Sequence, residues 1–154
     1  MEANMKKILL IIFTTVAALI SYLVWLTCRP VEIIAVHKKD NYSSVLVKNF
    51  PFTDKGRINW WQKNKQMLKN RYGVPRPDTD GFFTVIFWDF GDGYKEEGKY
   101  DRLCFDDMNP PANCIEKNKV FTVNYGRNMG LHLTTNNKRY LINQDGNIIK
   151  MKDD

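Results

Sequence analysis

The sequence predicts an α+β fold in which a single N-terminal transmembrane helix precedes a small antiparallel β-sheet domain packed by one main helix. Residues 8–26 carry no charge, and the rest of the 154-residue chain is the size of one domain. Short runs rich in β-branched and aromatic residues then alternate with turn residues, which is typical of strands. We expect a cytoplasmic tail at 1–7, a transmembrane helix at 8–26 and a periplasmic α+β domain at 30–154.

The apolar run ILLIIFTTVAALISYLVWL is long enough to cross a bilayer. Its nineteen residues, as a helix rising about 1.5 Å per residue, span about 28 Å, and Tyr22 and Trp25 lie where amphipathic rings favour the interface. The alternative is a cleaved signal peptide, since Lys6 and Lys7 precede the run. That run is longer than a usual signal-peptide core, however, and it ends in bulky residues where cleavage needs small ones. We therefore interpret it as an uncleaved signal anchor.

The orientation of this segment depends on the charges that flank it. Lys6, Lys7 and the α-amino group lie before it, and Arg29, Lys38 and Lys39 lie after it, so the count is nearly balanced. A tail of seven residues before a first apolar helix usually stays inside. We expect a single-pass protein of the bacterial inner membrane, with its N-terminus in the cytoplasm and its C-terminal domain in the periplasm.

The first strands follow the membrane segment directly. Pro30 prevents simple continuation of the helix, and residues 31–36 are rich in β-branched side chains. The turn cluster 38–41 leads into a second run at 42–47, so the two runs predict a β-hairpin. The domain is therefore expected to begin almost at the membrane surface.

A helix is predicted after this hairpin. Thr53 or Asp54 offers a side-chain oxygen as N-cap, and Gly73 ends the segment before two prolines. A mostly apolar stripe at spacings of three and four marks the face that would pack on a sheet. Its members are Ile58, Trp61, Lys65, Leu68 and Tyr72.

Residues 81–90, GFFTVIFWDF, form the strongest strand pattern in the chain. Both alternating sets of side chains are apolar, which predicts a central strand buried on both faces. Further strands are expected at 103–105, 119–125, 131–135, 139–143 and 147–151, separated by turn residues. These make an antiparallel meander.

The three cysteines bear on the compartment. Cys104 and Cys114 flank a loop stiffened by two prolines, and such a pair commonly closes in an oxidising compartment. We expect a disulfide there; the alternative is two buried thiols in a cytoplasmic domain. Cys28 invites a lipoprotein interpretation, but Thr27 and Trp25 stand where acylation sites need small and aliphatic residues. Cys28 has no obvious partner.

The net charge of +6 is spread through the chain, so we expect no nucleic-acid partner. Cations concentrate only in residues 55–71. The candidate interaction surface there consists of Arg57, Lys63, Lys65, Lys69 and Arg71. It suits an acidic protein partner or anionic lipid head groups; the alternative is an ordinary solvated helix face.

No motif identifies a catalytic, cofactor or metal site. The acidic cluster comprises Asp89, Asp92, Glu96, Glu97, Asp101, Asp106 and Asp107. It lacks the ligand spacing of an EF-hand loop, so a solvated loop is the simpler interpretation. His37 and His132 belong to no metal or nucleophile motif either, and we expect both to be structural or surface residues. We expect no catalytic residue, no metal and no cofactor.

Several long motifs resemble one known family. They are RPVEI at 29–33, KNFPFTDKGRINWW at 48–61 and FWDFGDGYKEEGKYDRLCFDDM at 87–108, together with Cys114. They resemble the enterobacterial putative membrane protein family termed domain of unknown function 943, over nearly the whole chain. The resemblance implies an enterobacterial single-pass membrane protein and carries over no catalytic or binding residue.

Two hypotheses about function follow. The first is a binding or interaction module at the periplasmic face of the inner membrane, for which an immunity-type protein that neutralises an incoming toxin is one example. Small size, a direct tether and the lack of a catalytic constellation support it. The second is an envelope enzyme or metal-dependent factor that uses the acidic loop 89–107. A deep pocket that gathers acidic residues would favour the second hypothesis.

Overall fold

The computed structural model describes residues 1–136 and 138–152, and the chain divides into two compact units, Met1–Pro30 and Val31–Asp154. The first unit is helix α1, Glu2–Thr27, whose side chains are exposed throughout most of its length. Of the described helices, only α1 is long and apolar enough to cross a membrane. Within this unit the Arg29 guanidinium lies 3.7 Å from the centre of the Trp25 ring.

The second unit contains one helix and nine strands among its described residues. They are β1 Glu32–Lys39, β2 Tyr42–Lys48, α2 Asp54–Tyr72, β3 Phe83–Asp89, β4 Arg102–Cys104, β5 Cys114–Glu116, β6 Lys119–Gly126, β7 Gly130–Thr135, β8 Lys138–Ile142 and β9 Ile148–Lys150. Seven strands form one sheet in the order β1-β2-β3-β6-β7-β8-β9, and β4 pairs with β5 alone. The predicted α+β class is confirmed.

Two features of the sheet differ from the predicted meander. Strands β2 and β3 run parallel, because α2 connects them and a crossover of this kind returns the chain in the same direction. Strand β5 was not predicted; it forms by pairing with β4 across the loop that the Cys104–Cys114 bond closes. The predicted central strand at 81–90 is confirmed as β3, which lies between β2 and β6.

Helix α2 begins and ends at the predicted residues. The Thr53 hydroxyl accepts a hydrogen bond from the Gly56 backbone N–H at 3.0 Å, which caps the first turn. Gly73 takes the left-handed conformation, with φ of 65°, that closes a helix. Ile58, Trp61 and Leu68 are buried in the main core of the sheet unit.

Arg57 corrects the predicted interaction surface. Only 8% of this residue is exposed. Its Nε donates to the Pro51 carbonyl at 2.8 Å, and its Nη1 donates to the Val120 carbonyl at 2.7 Å and to Asn136 Oδ1 at 3.1 Å. Arg57 therefore joins the start of α2 to the sheet through these hydrogen bonds, and it is not part of an exposed basic face.

The sheet has two unlike faces. The helix face carries the main core, and α2 packs on it. On the opposite face, which we call the hairpin face, Leu46 packs with Phe105 and Ile115 from the chain that joins β3 to β6. We call the β1–β3 part of this face the covered half. The β6–β8 part lies outside that apolar cluster, and we call it the open half.

Candidate functional site

A cavity of about 580 Å³ opens at the covered half. It lies where the end of the β1–β2 hairpin meets β3 and the segment that follows β4. Ile86, Trp88, Leu103 and Phe105 supply its apolar walls, and His37, Lys39, Ser44, Asp106 and Asp107 supply its polar groups. The walls thus come from sheet strands and from one folded-back segment.

His37 joins β1 to that segment. It is 9% exposed, and its Nδ1 lies 2.8 and 2.9 Å from the two carboxylate oxygens of Asp107. Its Nε2 lies 2.8 Å from the Tyr94 hydroxyl. The imidazole also stacks on Phe105, with ring centres 3.8 Å apart and an interplanar angle of 13°. Both ring nitrogens are therefore engaged inside the protein.

One tautomer of a neutral His37 satisfies both of these hydrogen bonds. Burial, reinforced by the negative charge of Asp107, raises the pKa of Tyr94, so its hydroxyl stays protonated at neutral pH and is able to donate. A neutral imidazole with its proton on Nδ1 donates to Asp107 and accepts from Tyr94 at Nε2. In this arrangement neither nitrogen offers a free lone pair to an occupant of the cavity.

Other polar groups at the cavity are also paired, except Ser43, whose buried hydroxyl has no hydrogen-bond partner among the described residues. Lys39 Nζ lies 2.7 Å from Asp106 Oδ2 at the exposed rim, and the hydrogen bond and charge of Lys39 hold the pKa of Asp106 below its usual value. Deeper in, the Trp88 indole N–H donates to Ser44 Oγ at 3.3 Å. Carboxylate oxygens at the rim and the Ser44 hydroxyl keep spare capacity for a ligand.

A disulfide bond joins the two strands at the base of the segment that closes the cavity. Cys104 and Cys114 are directly opposite each other in the β4–β5 pair and are bonded through their sulfurs. Cys104 lines the cavity, and Phe105 and Asp107 follow it along the same wall. Formation of this bond in the cell stays a prediction. Cys28 is free and exposed.

The exposed cations of α2 do not share one face. Lys63, Lys65, Lys69 and Arg71 are all exposed, and the part of the chain that the structure describes supplies no ion pair to any of them. Successive helical residues turn by about 100°, so Lys63 and Lys65 point about 200° apart, whereas Lys65 and Lys69 lie one turn apart on the same side. Their role in binding stays a prediction.

The acidic loop is dispersed rather than gathered. Its members form separate contacts: Asp89 with Asn118, Asp92 with Lys95, Asp101 with Lys117, Asp106 with Lys39 and Asp107 with His37. Among residues 1–136 and 138–152, no group of three or more His, Cys, Asp or Glu side chains is placed to hold a metal ion. Asp106 and Asp107 are the members that line the cavity.

Sequence reasoning missed the network around His37. Its partners Asp107 and Tyr94 are 70 and 57 residues away along the chain, so no local motif links them. One signal was present: a histidine two positions from Ala35, on the alternating pattern of a strand, is a polar residue on an otherwise apolar face. Such a residue requires partners from elsewhere in the chain.

Comparison with known proteins gives one match. The family model described as "Enterobacterial putative membrane protein (DUF943)" matches residues 2–152, nearly the whole chain. No curated protein and no solved structure matches the chain.

Proposed function

The chain belongs to the enterobacterial putative membrane protein family, and from this premise we propose that it is a single-pass inner-membrane protein whose residues 30–154 form a periplasmic binding module. Helix α1 would be the anchor, with residues 8–26 in the bilayer and residues 1–7 in the cytoplasm. Lys6 and Lys7 before the apolar run support that orientation. The cavity at the covered half is the observation that supports a binding role.

Orientation is tested with reporter fusions after Asp154. We expect a reporter that is active only outside the cytoplasm to work, and one that is active only inside to fail. The opposite pattern would place the sheet unit in the cytoplasm, and it would also remove the oxidising compartment that the Cys104–Cys114 bond requires.

The proposed ligand is a small amphipathic molecule with a ring-sized apolar body. The volume of about 580 Å³ lies within the range of small-molecule sites, roughly 300 to 1,000 Å³, and such sites combine apolar walls with a few polar groups. Trp88 and Phe105 offer aromatic surface, and Asp107 offers hydrogen-bond acceptors at the rim. The paired charges around the cavity favour a ligand with little net charge.

The same geometry favours binding over catalysis at this cavity. A general base needs a lone pair within hydrogen-bond reach of the substrate, and both nitrogens of His37 are engaged with Asp107 and Tyr94. The raised pKa of Tyr94 also opposes formation of a nucleophilic phenolate. An envelope enzyme that uses loop 89–107 remains the alternative, and metal-dependent activity of the full-length protein that Asp101→Asn abolishes would favour it.

The binding proposal is tested by methyl NMR of the full-length protein in uncharged detergent micelles, with indole as the probe. Ile86 and Leu103 line the cavity, whereas Ile149 lies in β9, outside it. We expect saturable shifts of the Ile86 and Leu103 methyl resonances and none at Ile149. Equal shifts at all three methyl groups, or none at Ile86 and Leu103, would contradict a built cavity site.

A filling substitution supplies the control. Ser44 lies on the sheet side of the cavity, so Ser44→Leu should occupy its space and abolish the indole-dependent shifts. Ser21→Leu, in α1, adds the same apolar volume elsewhere and should leave the shifts unchanged. Persistence of the Ile86 shift in Ser44→Leu would place the probe outside the cavity.

A protein-binding role, of the immunity type, is a second candidate, because α2 exposes cations without ion pairs in the described residues. Within that surface, Lys65 and Lys69 lie on the same side of helix α2. If this role is correct, Lys65→Glu with Lys69→Glu should abolish capture of an acidic partner and leave the melting temperature nearly unchanged, since exposed charges contribute little to folding. If this variant captures the partner as well as the wild type does, the cations of α2 have no role in binding and the helix serves only to hold the fold.

A further inference from the structure

The open half of the hairpin face holds a second pocket, of about 430 Å³. Two rows of polar side chains cross its strands. In one row Thr122 is opposite Thr134, and Thr134 is opposite Arg139; in the other, Asn124 is opposite His132. Opposed residues of an antiparallel pair project from the same face. The pocket is therefore a platform of hydroxyl, amide and imidazole groups.

Unpaired positive charge flanks this platform. Lys119 and Arg139 both line the pocket and are exposed. In the stretches that the structure describes, no acidic side chain forms an ion pair with either of them. The surrounding stretch 119–154 contains six Lys or Arg and three acidic residues, Asp145, Asp153 and Asp154, which gives a local net charge of 6 − 3 = +3. An anion would thus meet a favourable potential here.

Thr122 adds an observation that is independent of charge. It is 8% exposed and lines the pocket, yet its hydroxyl has no hydrogen-bond partner among the described residues. A buried hydroxyl without a partner destabilises a fold, and valine would fit the same strand position without that penalty. A ligand oxygen that accepts from Thr122 would account for the hydroxyl.

We propose that the open half is a binding site for an oxyanion of the phosphate class. The planar guanidinium of Arg139 suits two oxygens of one phosphate group, Lys119 adds a point charge, and Thr122 adds an uncharged donor. A soluble phosphate compound and the phosphate of an anionic lipid head group share this chemistry. The site is separate from the cavity beside His37, and this inference does not rest on the function proposed for that cavity.

The test uses the full-length protein in uncharged maltoside micelles, titrated with inorganic phosphate at low ionic strength. Saturable shifts of the amide resonances of His132 and Thr134 are expected. Lys119→Gln with Arg139→Gln should weaken binding at least tenfold. The matched control, Arg76→Gln with Lys99→Gln, removes the same charge from exposed residues outside this pocket and should change the affinity less than twofold. Equal weakening in both variants, or no saturable shift in the wild type, would overturn the proposal.

Thr122→Val distinguishes a specific phosphate-binding site from general electrostatic attraction, because it removes one hydroxyl and no charge. Phosphate binding should weaken severalfold, while the melting temperature without phosphate should stay the same or rise. Unchanged phosphate affinity in Thr122→Val would overturn the role of this hydroxyl and reduce the site to a cationic surface.

Nanodiscs distinguish the two sources of phosphate. If the natural ligand is a lipid head group, nanodiscs that contain phosphatidylglycerol should weaken the apparent affinity for inorganic phosphate relative to nanodiscs of phosphatidylcholine alone. If it is soluble, the two affinities should agree. Either result supports the oxyanion site when the variants behave as stated, and absence of phosphate binding in both lipid compositions would contradict it.

Discussion

The two halves of the hairpin face use their charged residues in opposite ways. At the covered half, Lys39 pairs with Asp106 and His37 with Asp107, around a cavity with apolar walls. At the open half, Lys119 and Arg139 flank a polar pocket with no ion pair from the described residues. One sheet therefore presents two chemically different surfaces side by side: Ile86 of the cavity is paired with Thr122 of the open pocket.

Connection length explains this difference. The chain between β3 and β6, residues 90–118, is long enough to fold back over the sheet and bring Phe105 and Ile115 onto it. The connections at 127–129, 136–137 and 143–147 are short, as in hairpins, and are too short to fold back over β6–β8 as 90–118 does over β1–β3. A sheet face that these connections leave open can keep polar residues, which explains the threonines and asparagine there.

The largest contrast should come from deleting one side chain in each half. Phe105→Ala removes a ring that is 6% exposed and stacked on His37, and should lower the free energy of unfolding by about 3 to 5 kcal/mol. Thr134→Ala, in the open half, should change it by less than about 0.5 kcal/mol. Denaturant unfolding of the full-length protein measures the free energy of unfolding of each variant. Similar decreases in the two variants would contradict the difference between the halves.

Removal of the disulfide should be the next largest effect and should act mainly on the covered half. In the chain-entropy model, a loop with a sequence separation of 10 contributes about 2 to 3 kcal/mol. Cys104→Ser with Cys114→Ser should lose that amount and increase amide exchange at Leu103 more than at Leu133. Thiol labelling of unreduced protein in cells checks the bond itself; quantitative modification of both cysteines would contradict it.

A smaller effect is expected from one hydrogen bond of the His37 network. Tyr94→Phe keeps the ring but leaves Nε2 of His37 without its partner, and should cost about 1 to 2 kcal/mol. Tyr100→Phe is the matched control, because Tyr100 is 70% exposed and its change should be undetectable. Equal stability of Tyr94→Phe and wild type would show that the network does not hold the segment in place.

The smallest effect should appear in acid. Hydrogen bonds from Arg102 and Lys95 to Glu116 hold the pKa of this carboxyl below its usual value of 4.5. Because its pKa is lower in the folded state, the stability it contributes is complete above about pH 4.5 and is lost as the pH falls further. Amide exchange, corrected for intrinsic rate, should rise at Ile115 but not at Leu133. In Glu116→Gln, acid should no longer increase exchange at Ile115 more than at Leu133. If the increase at Ile115 persists in this variant, another titrating group causes it.

Local patterns predicted most elements but not the sites. Alternation identified β3, and cap residues placed both ends of α2, because these signals lie within a few residues of the feature they determine. The cavity depends on contacts across about 60 to 70 positions, such as His37 with Asp107. Arg57 was misplaced for a similar reason: its acceptors at Val120 and Asn136 lie on β6 and beyond β7. Long-range partners leave no periodic trace in a sequence.

The most direct test of two separate sites is a paired titration of the full-length protein with indole and with inorganic phosphate. Ser44→Leu should abolish the indole-dependent shift at Ile86 and leave phosphate affinity within twofold of wild type. Arg139→Gln should weaken phosphate binding and leave the indole response intact. Loss of both responses in either variant, with the fold preserved, would contradict the account, because it would mean that the two halves of the hairpin face act as one site.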